Sequence, residues 1–505
     1  MTRKLFWAFA LSIGLLTAFS EAAAAARPAW TPPIGIPNPS FGILETAPAS
    51  PIPWIAATPG FYYVDASKPT ASDAGNPYGT PAKPRRTIPS PLPAGAVVEL
   101  RGTYDTGHGS PATLVVQGTK LLPVYIRGAS ATNRPLVRRV WEIKGTYAVL
   151  ENLEFGPTPD QSATGSLVIR LPASHIVLRH SDLHGTLAGG GLGIVNWEVG
   201  YGEVYKGTGA IDNVVIYDNV IHDNGDVHAK NDQDVHGIGV TDHVHHLWVV
   251  DNQLYRNSGD GIQIVAPGPG QAATTHHIYV GRNVAHHNKQ TGFWVKQATD
   301  VIFSQNVSYG HRPGNSSMGQ CMGGQYAPDW VWFIYNHLSD CEYGVAQMSD
   351  DGEPSHTFVI GNVIHNIHRT TLKNEANDAW GSAGIMMAGG DQRHVVNNTI
   401  YDVDSGLNIA TPAGSLDVAG NIIANVTQPA ASHVLLGFGA LLAKTRAHQN
   451  LLFGNPRVEL GNGQIRLSGP NSPRRSRCTA TRNSSMPRAA TSISARRHRP
   501  SPPAI

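Results

Sequence analysis

The chain has 505 residues, of which 54 are glycine and only 15% are charged, a composition that suits a turn-rich all-β protein with a large buried core. The formal net charge of +2 comes from the two ends of the chain. Without residues 1–26 and the segment after residue 470, 28 basic residues face 35 acidic ones. This mildly acidic balance argues against a nucleic-acid partner, which requires a basic surface.

The first 26 residues predict a secretory signal, because Arg3 and Lys4 precede an apolar run of fifteen residues and a small-residue stretch that ends near Ala26. A membrane anchor is the alternative, but the run is short for a span and no later segment is apolar enough to cross a bilayer. We therefore expect a secreted or periplasmic protein without a membrane span. Residues 27–60 are rich in proline and predict a lead that wraps around or links to the domain.

Between residues 61 and 468, short apolar strands recur, each bounded by Gly, Asn or Asp. Two to three strands per repeat, without helical periodicity, predict a β-solenoid. The pattern resembles the right-handed parallel β-helix of polysaccharide-active proteins, whose asparagines would adopt left-handed corners and bond to their copies on neighbouring coils. Residues 469–505, rich in Arg, Ser and Pro, predict a disordered basic tail. The repeated asparagines, spaced by 23 to 36 residues, are Asn219, Asn252, Asn283, Asn306, Asn336, Asn362, Asn398 and Asn421.

The strand segment GFWVKQATDVIFSQN, residues 292–306, carries a lysine, Lys296, where other repeats hold uncharged residues. Counting ten residues back from Asn306 reaches Lys296, and counting ten back from Asn336 reaches Tyr326. Because stacked coils lie ~4.8 Å apart, we expect Lys296 and Tyr326 to be outward neighbours on adjacent coils. Trp294, next to Lys296, would then offer a flat face for a sugar ring.

A groove lined by lysine, tyrosine and histidine, without a carboxylate pair, favours β-elimination on a uronate. The base takes the proton from C5, and a positive group neutralises the sugar carboxylate as charge develops. We expect Lys296 to be the base, Tyr326 or His236 to be the acid, and Arg312 or a Ca²⁺ ion to neutralise the carboxylate. A lysine base requires its pKa to fall from about 10.4.

Further polar side chains are expected along the same groove. Carboxylates in turns are candidate calcium ligands, because oxygen atoms suit a hard cation. Two cysteines open similar strands on consecutive coils, where stacking would bring them within disulfide range. The expected substrate-binding residues are Trp294, Gln263, Gln297, His243 and His311; the expected calcium ligands are Asp234, Asp242 and Asp260; and the expected disulfide joins Cys321 and Cys341.

The motif HVHH, with His243, His245 and His246, also raises the possibility of zinc. Two of these histidines would share one face of a strand. Zinc needs a third or fourth ligand at defined geometry, and the sequence does not supply one. We therefore expect most histidines to cap turns or to bond to aspartates.

The position of Lys296, at a strand end ten residues before an asparagine corner, resembles that of the base lysine in polysaccharide lyases of the chondroitinase B and alginate lyase type. The resemblance implies a lyase acting on an acidic polysaccharide. This chain departs from the pattern of those lyases at two places. They have glutamates for calcium where this chain has Gln290 and Thr291, and an acid arginine where this chain has Tyr326. A uronan C5-epimerase, a glycoside hydrolase and a non-catalytic glycan-binding protein stay open as alternatives. We expect a monomer.

Overall fold

The computed structural model describes most of the chain between residues 30 and 466. The described residues are 30–50, 54, 60–105, 113–157, 165–195, 209–229, 233–266, 268, 271–314, 317–349, 355–369, 381–410, 414–427, 434–436, 445–454, 458–460 and 465–466. The predicted signal at residues 1–26 and the predicted tail at 469–505 lie outside them. Within the described residues no helix has the length and apolarity to cross a membrane.

The strands stack in parallel into three ladders, which together form a parallel β-helix, as the repeats predict. Two long strands, Trp141–Glu151 and Leu167–Arg179, run through both the first and the second ladder. The only helical turn in the described part of the chain is Ala272–Thr274.

The other strands of the first ladder are Leu92–Pro93, Thr113–Gln117, Gly190–Val195, His236–Val240, Ile262–Val265, Phe293–Lys296, Gln320–Gln325, Tyr343–Met348, Ala383–Ala388, Leu407–Ala410, Val434–Leu436, Val458–Leu460 and the antiparallel Ile465–Arg466. The other strands of the second ladder are Phe61–Asp65, Val97–Arg101, Val124–Gly128, Ile211–Tyr217, Val244–Val250, His276–Gly281, Thr299–Ser304, Asp329–Ile334, His356–Ile360, Gln392–Val396, Ser415–Ala419 and Thr445–His448. The strands of the third ladder are Thr103–Tyr104, Leu136–Val137, Glu154–Phe155, Asp182–His184, Val220–His222, Gln253–Tyr255, Val284–His286, Val307–Tyr309, His337–Ser339, Val363–Ile367, Thr399–Val403, Ile422–Val426 and Leu451–Leu452.

The repeated asparagines form a buried hydrogen-bonded ladder at the corner between the second and third ladders. The backbone N–H and the side-chain amide of Asn283 both donate to Oδ1 of Asn306, each at 3.0 Å, and the amide also donates to the carbonyl of Val249. The same pattern runs from Asn219 to Asn450, one repeat beyond the predicted set. These bonds satisfy backbone groups that the corner would otherwise bury without partners.

The left-handed residue of each corner is the one before the asparagine, so the expectation that the asparagine adopts this conformation is wrong. Asp251, Arg282 and Gln305 have φ values of 60°, 52° and 57°, and each precedes a ladder asparagine. The asparagine is required for its amide, which both donates and accepts hydrogen bonds.

The Pro-rich lead crosses the outer face of the second ladder, where residues 30–50 form a strap along the axis of the β-helix. Trp248 Nε1 donates to the carbonyl of Pro37 at 2.8 Å. Farther along, the guanidinium of Arg179 donates to the carbonyls of Gly42 and Glu45, at 2.9 and 2.6 Å. Phe41 of the strap packs in a buried cluster with apolar side chains of the second ladder, among them Val215 and Trp248.

Candidate active groove over the first ladder

Lys296 stands out on the outer face of the first ladder. Among the five strands from His236–Val240 to Tyr343–Met348, all within the described residues, it is the only Lys, Arg, Asp or Glu. Its side chain is half-buried, and none of the ion pairs between described residues includes it. In contrast, Arg170 on an earlier coil is paired with Glu142 at 3.1 Å. Lys296 therefore presents a cationic or basic group without a carboxylate partner in the described part of the chain.

The neighbour of Lys296 on the next coil is Gln325, so the expected pairing with Tyr326 is wrong by one residue. The reason is an extra residue at the corner: two residues separate Lys296 from Thr299, but three separate Gln325 from Asp329, which pairs with Thr299. Tyr326 lies in this bulge with φ of 62° and is 42% exposed. It directly follows Gln325, the register partner of Lys296 on the next coil.

Trp294 does not offer a face to a sugar, because only 4% of it is exposed. A Cβ on Gly323, its partner on the next coil, would come within 2.7 Å of the Trp294 ring. The glycine therefore leaves the space in which the indole packs. Gln297 is also buried, with 6% exposed, so neither residue can contact a substrate in this conformation.

A second polar cluster lies at the opposite end of the same strands and centres on Asp260. The Asp260 carboxylate accepts hydrogen bonds from Thr291 Oγ1 at 2.5 Å and from Gln263 Nε2 at 2.7 Å, and its backbone N–H donates to His236 Nδ1 at 2.9 Å. Because Nδ1 of His236 accepts this bond, the neutral imidazole carries its proton on Nε2. Thr291 is five residues before Lys296, about 16 Å along the strand, so His236 cannot act on the same atoms as Lys296.

The three aspartates expected to bind calcium do not converge. The Asp260 carboxylate already accepts two hydrogen bonds from its own neighbours, and exposed Asp234 accepts a bond from Gln290 Nε2 at 2.8 Å. Asp242 lies past the other end of the strand His236–Val240, against His243. Burial raises the pKa of Asp242, which weakens it as a cation ligand. Within the described residues no three His, Cys, Asp or Glu side chains are arranged to hold a metal ion.

The remaining expected site residues also have structural partners. His243 packs its ring against Asp242. His311 is fully buried between Ser308 and the Asn288 carbonyl, and burial lowers its pKa to about 3, which removes it from any substrate surface. The Arg312 guanidinium donates to the carbonyl of Asp340 at 2.6 Å, in the turn after the third ladder and away from Lys296.

The structure joins Cys321 and Cys341 in a disulfide, with 5.7 Å between their Cα atoms. The bond links consecutive coils just beyond the one that carries Lys296. It ties the turn around Ser339 to the strand Gln320–Gln325.

Sequence reasoning missed two features of this region. Asn224, Asn257 and Asn288 form a second asparagine ladder, in which each side-chain amide donates to the next Oδ1 at 2.9 Å. The endings HDN, YRN and HHN of successive repeats could have indicated it. The second feature is a stack of histidine rings on the second ladder, which the consecutive histidines in the sequence could have indicated. These histidines are His245, His246, His276 and His277.

These features define a parallel β-helix with polar side chains at both ends of the strands of its first ladder. No protein-family model matches the chain, and no curated protein sequence matches it. Among solved structures, the fold is similar to that of a GH136 lacto-N-biosidase from Eubacterium ramulus, with a TM-score of 0.43 and 14% identity over 77% of this chain and 67% of that one. It is also similar to the pectate lyase Pel9A, with a TM-score of 0.41 and 13% identity over 78% and 81% of the chains.

A third similar structure is the A-module of the mannuronan C-5 epimerase AlgE4 from Azotobacter vinelandii, with a TM-score of 0.42 and 14% identity over 78% and 89% of the chains. At these identities the similarity concerns the fold alone, and no residue role is taken from it.

Proposed function

We propose that this protein is a polysaccharide lyase that cleaves a uronate-containing polymer by β-elimination at the corner beside Lys296, at the end of the first-ladder strands. The observation that carries the proposal is the placement of Lys296, half-buried, without a carboxylate partner among the described residues, and opposite Gln325, the residue directly before exposed Tyr326. An acidic sugar is the ligand that a lone cation on an otherwise uncharged strand face attracts.

The corner supplies the groups that the reaction needs. Deprotonated Lys296 takes the proton from C5 of the uronate, the C4–O bond to the leaving sugar breaks, and Tyr326 donates its phenolic proton to that oxygen. The products are a new chain end and a uronate with a double bond between C4 and C5. Gln325, opposite Lys296, places an amide donor beside the sugar carboxylate where negative charge develops.

Two earlier assignments change with the geometry. Of the two expected acids, Tyr326 is retained and His236 is not, because the His236–Asp260 pair lies at the far end of the strands. Gln325 takes the place of Arg312 or calcium beside the carboxylate. The reaction uses the neutral amine of Lys296 as the base.

The test is the ultraviolet absorbance of the unsaturated product, measured on a panel of alginate, pectate, glucuronan and glycosaminoglycans. We expect absorbance to rise on one of them, and to be lost in Lys296→Ala. The matched control is Lys144→Ala, because Lys144 is a half-buried lysine on another first-ladder strand. Reducing ends without absorbance, or exchange of the C5 proton without cleavage, would overturn the proposal in favour of a hydrolase or an epimerase.

Glycan binding without turnover is a second candidate, and a separate observation favours it. Beyond the strap, the outer face of the second ladder carries aromatic rings stacked across coils: Trp332 on Phe358 at 5.2 Å, and Trp330 on His356 at 4.3 Å. Trp330 is 42% exposed. Retained polymer affinity in Lys296→Ala, lost affinity in Trp330→Ala and no turnover on any substrate would support a binding protein.

A further inference from the structure

A left-handed residue recurs once per coil on seven successive coils of the second ladder. The φ values of these residues lie between 50° and 57°. The residues on either side of them are in register from coil to coil, so the seven side chains share one column along the axis of the β-helix. We call them the left-handed column; its members are Tyr147, His175, Asn213, His246, His277, Asp300 and Trp330.

Aromatic rings stack within the column wherever two neighbouring coils both supply one. Tyr147 stacks on His175 at 4.2 Å, and His246 stacks on His277 at 4.7 Å, with the planes of each pair within 16° of parallel. These separations follow the spacing of ~4.8 Å between coils. After His277 the next coil supplies Asp300 instead of a ring. The stack is therefore interrupted at this level.

The stack resumes at Trp330, whose indole is held in place from one side. Trp330 stacks on His356 of the following coil at 4.3 Å, with planes 7° apart. The Asp329 carboxylate fixes both residues, because Oδ1 accepts the backbone N–H of Trp330 at 2.9 Å and that of His356 at 2.7 Å. A bulky residue with φ of 50° is unusual, and such conformations cluster at functional sites. The opposite face of the indole is turned toward the level of Asp300.

The level of Asp300 is open to solvent. The side chains of His277 and Asp300 are 41% and 44% exposed, and Trp330 is 42% exposed. The strap crosses the other end of the same strands, where Ser304 Oγ donates to the carbonyl of Ile34 at 2.6 Å. His277 and Trp330 are two coils apart, which corresponds to about 10 Å, so one further ring can stack between them. We call this space, with His277, Asp300 and Trp330 around it, the aromatic slot.

The chemistry of the aromatic slot matches a sugar ring. A pyranose presents C–H groups on its two faces, and the negative face of an aromatic ring attracts such hydrogens. Its hydroxyl groups lie at the edge, where they can donate to a carboxylate. Oδ2 of Asp300 lies 3.8 Å from Nδ1 of His277, beyond hydrogen-bond distance, so the carboxylate has acceptor capacity for hydroxyl groups. A sugar carboxylate would be repelled by Asp300, which favours an uncharged sugar.

We propose that the aromatic slot binds an uncharged pyranose unit of a glycan chain, with one ring face against Trp330, the other against His277, and hydroxyl groups on Asp300. The slot is close to the corner of the proposed reaction. Lys296 is four residues before Asp300, and Tyr326 is four residues before Trp330, which limits the separation along the backbone to about 14 Å. A chain bound at the corner can therefore extend into the slot. The assignment rests on the glycan ligand of the proposed function, but not on turnover at Lys296.

The experiment measures the affinity of the full-length protein by affinity electrophoresis, in gels that contain a glucan, a galactan, a mannan or one of the acidic polymers of the activity panel. We expect at least one polymer with uncharged sugar units to retard the protein. For that polymer, Trp330→Ala should weaken binding about 30-fold, and Asp300→Ala about 10-fold. Polymers made only of uronates should show no such dependence on Trp330.

Two matched control variants should bind as the unmodified protein does. Tyr335→Ala removes an exposed, left-handed aromatic residue directly after the strand that carries Trp330. Asn213→Ala changes the other member of the left-handed column that has no ring. Circular dichroism checks that each variant is folded, and Trp330→Leu replaces Trp330→Ala if the latter is not.

Three results would overturn the proposal: no retardation by any polymer with uncharged units, an equal loss in Tyr335→Ala, or unchanged or tighter binding in Asp300→Ala, which would indicate an apolar occupant. The absorbance of the unsaturated product is measured separately. Binding that depends on Trp330 without any turnover would support the slot and overturn the lyase. Turnover together with binding that is independent of Trp330 for every polymer would overturn the slot and leave the lyase.

Discussion

Lys296 lies directly opposite Gln325 on the next coil, and the exposed phenol of Tyr326 follows at the corner bulge. This relationship gives the proposed base and the proposed acid different structural settings. The lysine is fixed by a regular strand, whereas the tyrosine lies on an irregular turn whose backbone is left-handed.

Replacement of Tyr326 by phenylalanine should reduce lyase turnover by about 100-fold, because the leaving oxygen loses its proton donor. The free energy of unfolding should change by less than about 0.5 kcal/mol, since the side chain is exposed. Tyr335→Phe is the matched control, because Tyr335 is 49% exposed and also left-handed. Steady-state rates on the cleaved polymer check the prediction, and equal activity of the two variants would remove Tyr326 from the mechanism.

Asn306→Ala should destabilise the protein by about 3 kcal/mol, measured by urea unfolding. The substitution leaves the buried backbone N–H and the side-chain amide of Asn283 without their acceptor. It also removes the bond to the carbonyl of Val280. Asn408→Ala, at a half-buried strand position outside the ladder, should cost less than about 1 kcal/mol. Equal losses in the two variants would contradict the ladder's role.

Arg179→Met should loosen the strap. Arg179 bonds to Glu151 at 2.7 Å and to two strap carbonyls, and its loss leaves the buried carboxylate of Glu151 unpaired, at a cost of about 3–5 kcal/mol. We expect faster proteolysis within residues 30–50. Arg170→Met, which breaks a more exposed pair with Glu142, should leave proteolysis unchanged and cost at most about 1 kcal/mol. An intact strap in Arg179→Met would contradict this prediction.

Stability should fall as the pH drops below about 6.5, in part because of His311. Burial lowers the pKa of His311 to about 3 in the folded protein, so the unfolded chain binds a proton first. The contribution of neutral His311 to stability is therefore fully present above the pKa that this histidine has in the unfolded chain. It is lost as the pH falls toward 3, by up to about 1.4 kcal/mol per pH unit. We expect the free energy of unfolding, measured with urea between pH 7 and pH 4, to depend less steeply on pH in His311→Asn than in the exposed-site control His228→Ala. Equal slopes would contradict the assignment.

The repeated asparagines in the sequence were sufficient to predict the parallel β-helix and one of its two rows of hydrogen-bonded asparagine side chains. It succeeded because every coil has to satisfy the same buried backbone groups at the same corner, and an amide is the side chain that both donates and accepts. The disulfide bond between Cys321 and Cys341 was predicted in the same way, because stacked coils bring the two cysteines close together. These features depend on spacing, which the sequence displays directly.

Tertiary structure alone decided which polar residues meet. Lys296 and Tyr326 are each ten residues before an asparagine, yet one extra residue at the second corner shifts Tyr326 out of line. His236 and Lys296 belong to stacked strands but to opposite ends of them. The rings of His245 and His246 stack on those of His276 and His277 because left-handed residues turn neighbouring side chains to one side. A single extra or left-handed residue at a corner changes the direction in which the neighbouring side chains point. The spacing of residues in the sequence gives the length of a corner but not its backbone conformation.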